Sequence, residues 1–460
     1  MSDTESIVAV ATPPGRGGIG IVRVSGPKAG FITQRIVNVA VPARQATHAN
    51  FVDAEKNAID NGIALYFPGP HSYTGEDVLE LQGHGSPVIM QMLARRCLEL
   101  GARLARPGEF TERAFLNGRL DLAQAEGVAD LIESRTESSA RSALRSLQGD
   151  FSNRVVELVD AVTRLRIFVE AAIDFPDEEI DFLEDANVVA QLEELSVLFQ
   201  SLRVSLRNGK IMRDGLKVVL TGLPNAGKSS LLNALTREDR AIVSNIPGTT
   251  RDVLEQFVEI DGLSVEILDT AGIRQTTNEI EAEGVRRALL AQQAADLVIL
   301  VVDNTGLHHD QIDDLIQQQL PNAPLLLVRN KIDLDGARTS LKDSTPEDKD
   351  IINRELIVDE VFVSALDGTG LDILRERIKA FAGLRDEEDN QFLARQRHID
   401  ALDRAEHFLM TGLEQQKTYK AGELLADDLH SCQKALGEIT GEVTSDDLLG
   451  LIFGSFCIGK

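Results

Sequence analysis

Apolar and polar positions change their rhythm three times along the chain. Up to about residue 117, short runs alternate apolar with polar between frequent glycines and prolines, the period-two pattern of half-buried strands. Residues 7–10, 19–24 and 78–81 read as strands, and 87–100, closed by Gly101, as a helix, which predicts an α+β domain. From about 118 the period becomes helical. Phe151, Val155, Leu158, Val159, Val162, Leu165 and Val169 form one apolar stripe, broken at Pro176 inside an acidic turn and resumed to about Arg207. Such a stripe needs helical partners. Residues 390–449 supply them with Phe392, Ile399, Leu402, Phe408, Leu424, Leu425, Leu429 and Leu436 in glycine-poor sequence.

Between the two helical stretches, strand-like runs at 218–220, 265–268, 298–302, 325–328 and 361–363 alternate with helical patterns. That alternation predicts a mostly parallel sheet in an α/β domain. The chain is therefore expected to be multidomain, with α+β, all-α and α/β parts. The expected boundaries are 1–117 for the N-terminal domain, 118–212 for the first helical half, 213–382 for the inserted α/β domain and 383–460 for the second half.

Composition narrows the class. Lys and Arg number 47 against 73 Asp and Glu, a net charge of −26, which argues against a protein that coats nucleic acid. The 3 cysteines (Cys97, Cys432, Cys457) suit neither a disulfide framework nor a metal cluster. No apolar run approaches a membrane span, and the first residues are acidic where a signal peptide is basic. A soluble cytoplasmic protein is the expectation.

Chemistry enters with Gly222-Leu-Pro-Asn-Ala-Gly227-Lys228-Ser229, between a strand and a helix. Such a loop crowds backbone N–H groups around phosphates, with Lys228 reaching the β/γ-phosphates and the Ser229 hydroxyl reaching Mg²⁺. Three further motifs follow in order. Gly248-Thr249-Thr250 offers hydroxyls to Mg²⁺. Asp269-Thr270-Ala271-Gly272 closes a strand. Asn330-Lys331-Ile-Asp333 offers a carboxylate to guanine, with Ser364-Ala365-Leu366 closing the base pocket. The set selects a Ras-like P-loop GTPase over an ATPase. Ile273 stands where Ras-like enzymes carry their water-orienting Gln. Glu281 either takes that task or is one of several solvated acids. Asn225 either helps hold a monovalent cation or is a turn-favouring residue.

The chain also resembles, end to end, the MnmE (TrmE) family of tRNA-modification GTPases. The resemblance rests on Ala11-Thr-Pro-Pro-Gly-Arg-Gly-Gly18, Leu79-Glu-Leu-Gln-Gly-His-Gly85, Ala105-Arg-Pro-Gly-Glu-Phe-Thr111, Leu120-Asp-Leu-Ala-Gln-Ala-Glu126 and Phe456-Cys-Ile-Gly-Lys460. It implies a homodimer joined through folate-binding N-terminal domains. It implies a flavoprotein partner, MnmG (GidA), in a heterotetramer that modifies the wobble uridine of certain tRNAs. A tetrahydrofolate derivative, 5,10-methylene or 5-formyl, supplies one carbon and contacts positions matching Arg23, Glu80, Arg119 and Lys460. Asn225, Ser244, Ile246 and Thr249 match the K⁺ site, Ser229 and Thr250 the Mg²⁺ ligands, and Glu281 the water-orienting glutamate. Ala226, Gly227, Ser230, Asn245 and Pro247 complete the matching GTP-binding positions. Cys457 is expected either near the one-carbon unit or as a small buried apolar residue.

A ribosome-assembly GTPase is the competing function, and a free-standing folate transferase with a regulatory GTPase the third. His308-His-Asp310 and the acids from Asp174 to Asp185 read as solvated turns. His84 is either a contact of the pterin or a hydrogen-bonded structural residue.

Overall fold

The computed structural model describes residues 5–174, 186–238, 255–269, 295–305, 323–334, 357–383, 392–419, 421–442, 446–456 and 459. They form two compact units: Met1–Ala129 with Ser146–Phe199 and Asp400–Lys460, and Asp130–Arg145 with Gln200–Ile399. Among the described residues no helix is long and apolar enough to cross a membrane.

The first unit opens with a six-stranded sheet ordered β3–β4–β5–β2–β1–β6. Its strands are β1 (Ile7–Val10), β2 (Gly17–Ser25), β3 (Thr47–Val52), β4 (Ala58–Phe67), β5 (Val78–Gly85) and β6 (Arg103–Leu104). Helices α1 (Ala29–Ile36) and α2 (Pro87–Glu99) cover one face, where Val22, Val24, Leu79 and Leu81 pack with Ile32, Ile36, Leu93 and Cys97. Side chains alternate across a strand, so Arg23, Glu80, Gln82 and His84 fall on the other face. There α3 (Glu109–Leu116) packs Phe110 against Ile7 and Ala9.

Charge, not grease, anchors the start of α3. The buried Glu109 carboxylate accepts from Arg103 at 2.8 and 2.5 Å, from Arg113 at 3.1 Å and from the Arg106 N–H at 2.8 Å. Arg113 continues the network to Glu76 at 2.8 Å. Burial alone raises the Glu109 carboxyl, but these donors outweigh it and bring it from 4.5 down to about 2. The folded value is the lower one, so this stabilisation is present above 4.5 and lost as pH falls towards 2. Glu109→Ala leaves two arginines without their shared carboxylate and should cost about 3–5 kcal/mol. Calorimetry of the full chain would read it as an earlier melting transition, and an unaltered profile would show the network to be dispensable.

The helices follow: α4 (Leu122–Glu133), α5 (Glu137–Gln148), α6 (Asp150–Asp174) and α7 (Ala186–Asp214). All seven residues of the expected stripe are buried in α6. It packs along α11 (Gly422–Thr440), so helices on either side of the inserted segment meet. One expectation needs correction. Leu424 is exposed while Leu425 is buried, because neighbours on a helix point about 100° apart and only one can face α6. A last helix, α12, spans Asp446–Gly454. It forms because Ile452, Phe453 and Phe456 bury against Leu122, Ala125 and Ala129 of α4.

The second unit holds a six-stranded sheet ordered β12–β11–β10–β7–β9–β8. Its strands are β7 (Leu216–Thr221), β8 (Glu255–Ile260), β9 (Leu263–Asp269), β10 (Leu297–Asp303), β11 (Leu325–Asn330) and β12 (Ile357–Phe362). Only the β8–β9 hairpin is antiparallel. Helices α8 (Lys228–Glu238) and α9 (Leu371–Phe381) pack against it, and α10 (Gln396–Tyr419) follows. The Asp130 carboxylate on α4 accepts from Arg213 at 2.9 Å, just before β7, and from Arg395 at 2.7 Å, just before α10. One carboxylate thus ties the two points where the chain joins and leaves the α/β sheet.

Candidate functional site: a nucleotide cleft and an arginine–glutamate pocket

Strand order reverses beside β7, which puts the loop 222–227 at the topological switch point where open α/β sheets bind ligands. The loop needs its glycines. A Cβ on Gly222 (φ +139) would lie 2.1 Å from Val301 O, and one on Gly227 (φ +91) 2.2 Å from Asn330 Nδ2. Asn225 takes a left-handed φ of 63° and is exposed at the loop's crest. Lys228 is buried, its Nζ donating to Gly222 O and Leu223 O, both at 2.8 Å. Ser229 and Ser230 are exposed on the first turn of α8, where backbone N–H groups favour anions.

Asn330 braces this loop against the far side of the cleft. Its Nδ2 donates to Ala226 O at 3.0 Å, while its Oδ1 accepts from the Lys331 N–H at 2.8 Å and the Ala365 N–H at 3.1 Å. Spacing could not reveal that the side chain serves both walls. Ser364 Oγ donates to Asp333 Oδ1 at 2.7 Å and fixes the exposed carboxylate, and Leu366, 86% exposed, forms the rim. The cleft between α8 and these loops measures about 650 Å³. Asp303, which sequence reasoning missed, holds Lys331 Nζ at 2.6 Å. Burial raises the Asp303 carboxyl, but Lys331 and Thr305 outweigh it and lower it. Its one signal was its place at the end of β10, in register with Asn330.

In the N-terminal sheet, Arg23 donates to Glu80 at 3.0 and 2.8 Å. Its guanidinium lies 5.6 Å from the Tyr73 ring centre and 5.8 Å from that of Phe110, close enough for cation–π attraction. Tyr73 also bonds Thr111 at 2.8 Å, and burial pushes its phenol up. Sequence reasoning gave Tyr73, Phe110 and Thr111 no role. Arg119 is exposed, its stem passing Gly75 in the loop that carries Tyr73.

Several expected positions lie outside the described residues: Ser244, Asn245, Ile246, Pro247, Gly248, Thr249, Thr250, Thr270, Ala271, Gly272, Glu281, Cys457 and Lys460, as well as His308–Asp310 and residues 175–185. For Asp269 the backbone alone is described, paired with Leu220 at the end of β9. Among the described residues no group of acids, cysteines and histidines is arranged to hold a metal ion.

Residues 6–119 match the model described as GTP-binding protein TrmE N-terminus, and 122–457 that of the MnmE helical domain. The chain belongs to the MnmE (TrmE) family. Among MnmE proteins, the "tRNA modification GTPase MnmE" of Chromohalobacter salexigens is 53% identical over 460 residues, covering 99% of this chain and 98% of that one. That of Hydrogenovibrio crunogenus is 49% identical, with all of both chains covered. Among solved structures, the G domain of the T. maritima FeoB iron transporter is 32% identical over 36% of this chain and 98% of that chain, with a TM-score of 0.25.

Proposed function

We propose that this MnmE-family chain is a K⁺-activated GTPase that acts in tRNA modification as a cytoplasmic homodimer. With the flavoprotein MnmG in a heterotetramer, it would add a carboxymethylaminomethyl or aminomethyl group to C5 of the wobble uridine. The observation that carries the reading is the cleft in which Asn330 joins the phosphate loop to the Ser364–Asp333 pair. Such a cleft suits a guanine nucleotide, because a carboxylate accepts the two N–H donors on one edge of guanine.

Lys228 would neutralise the β/γ-phosphates. Ser229 and Thr250 would hold Mg²⁺, and the exposed Ser229 beside Lys228 fits that task. Asn225, lifted to the crest of its loop, fits a K⁺ ligand together with Ser244, Ile246 and Thr249. The cation offsets charge developing on the phosphates, and Glu281 orients the attacking water. In the N-terminal domain, Arg23, Arg119 and Lys460 supply cations for the carboxylates of a tetrahydrofolate derivative. Glu80 accepts N–H donors, and Tyr73 and Phe110 offer apolar faces to its rings. The folate brings the one-carbon unit.

Hydrolysis should run on the order of a hundredfold faster in K⁺ than in Na⁺, since Na⁺ is too small for the same oxygen cage. Steady-state rates in the two chloride salts test it, and equal rates would remove the cation from the mechanism. Nucleoside analysis of tRNA from a strain lacking the chain tests the modification.

A further inference from the structure

One pair of side chains in the N-terminal domain has no part in the reading above. Asp60, 6% exposed, accepts two hydrogen bonds from a single residue: from the His84 N–H at 2.7 Å and from His84 Nδ1 at 2.7 Å. With a carboxylate as acceptor, Nδ1 carries the hydrogen, so Nε2 holds the lone pair of the neutral ring. Burial raises the Asp60 carboxyl, but the bonds from His84 outweigh it and keep it ionised. The His84 side chain is nonetheless 66% exposed. The ring is fixed at one nitrogen and open at the other.

The backbone is shaped around this pair. A Cβ on Gly83 would lie 2.4 Å from Asp60 Oδ2, so a larger residue there would displace the carboxylate from His84. Gly20 pairs with Gly83 and Gly17 with Gly85, and a Cβ on Gly15 or Gly18 would meet nothing within 4 Å. A Cβ on Gly20 would lie 2.6 Å from Met90 Sδ, so the glycines at this end of the sheet let α2 close against it beneath the strand that carries His84. A Cβ on Gly459 would lie 2.6 Å from Val10 O, so the terminal segment reaches the end of β1. By register, that is also the end of the sheet at which His84 leaves β5. Glu80 and His84 stand four residues apart on one face of β5, about 13 Å. A ligand anchored at Arg23 and Glu80 reaches His84 by lying along the strand, as the extended frame of a folate can.

We propose that His84, oriented by Asp60, is the general base of the N-terminal domain, taking a proton from a protonated primary amine before that amine captures the one-carbon unit. The proposal rests on the folate reading. One N–H bond of the ammonium breaks, its electron pair stays on nitrogen, and a new N–H bond forms at Nε2. Asp60 stabilises the resulting imidazolium, which returns its proton to water through its exposed edge.

The test uses the full chain with its flavoprotein partner and the variants His84→Ala, His84→Gln and Asp60→Asn. Turnover in tRNA modification should fall on the order of 10²-fold in both His84 variants, and added imidazole should restore part of it to His84→Ala. Binding of 5-formyl-tetrahydrofolate, read by equilibrium dialysis, should stay within about threefold of wild type, as should GTP hydrolysis. Nitrogen NMR of labelled histidine should show His84 protonated at Nδ1, a preference that Asp60→Asn removes. Modification at the wild-type rate by His84→Ala, a loss matched by lost folate binding, or no rescue by imidazole would each overturn the proposal. If the wild-type chain itself binds no folate derivative, the folate reading falls and this role falls with it, an outcome that dialysis separates from failure of the base alone.

Discussion

Asp333→Asn should lower GTP affinity on the order of 10⁴-fold and transfer preference to xanthosine triphosphate. A site built to accept hydrogen bonds rejects a base edge that cannot supply the matching donors, and discrimination of this kind runs to about 10⁴–10⁵. Asp333 Oδ1 is already fixed by Ser364 Oγ at 2.7 Å, so the carboxylate is presented in one orientation. Asparagine keeps the shape and exchanges an acceptor for a donor, which opposes the N–H groups of guanine and suits the carbonyl of xanthine. Titration with fluorescent analogues of both nucleotides measures it. Retained preference for GTP would mean that another group reads the base.

Cys457→Ser should abolish tRNA modification and leave GTP hydrolysis within about twofold of wild type. The residue sits in sequence between two tethered points. Phe456 is buried with Phe453 against α4, and Gly459 rests against β1 beside Ala11. Serine matches cysteine in size but is a far weaker nucleophile at neutral pH, so packing survives while thiol chemistry does not. The nucleotide cleft is built from residues between 222 and 371 and needs nothing from the tail. Full modification by the Ser variant would make the thiol structural.

How much could be read beforehand followed from how each element is stabilised. The α6 stripe and the strands β7, β10 and β11 were legible because burial and apolarity coincide in them. Helix α3 was not, since its buried face carries Glu109, Thr111 and Arg113, and ion pairs invert the usual pattern. Strand β4 was hidden by Asp60, Asn61 and Gly62, which the fold requires beside β5. The phosphate loop and Asp333 announced themselves by spacing. The Asn330 brace and the Tyr73–Phe110 walls around Arg23 depend on atoms brought together across the chain, and no local pattern records them.

The packing of α6 on α11 has a consequence in time. α6 is complete at Asp174, but α11 ends only at Thr440. At ~5–20 residues per second, a ribosome takes roughly 13–50 s to make the intervening chain. Through that interval the apolar stripe of α6 waits for its partner while the α/β sheet can already close. The nascent chain therefore carries an unshielded hydrophobic helix for most of its synthesis, and its yield in a cell should follow the supply of chaperones that hold such helices.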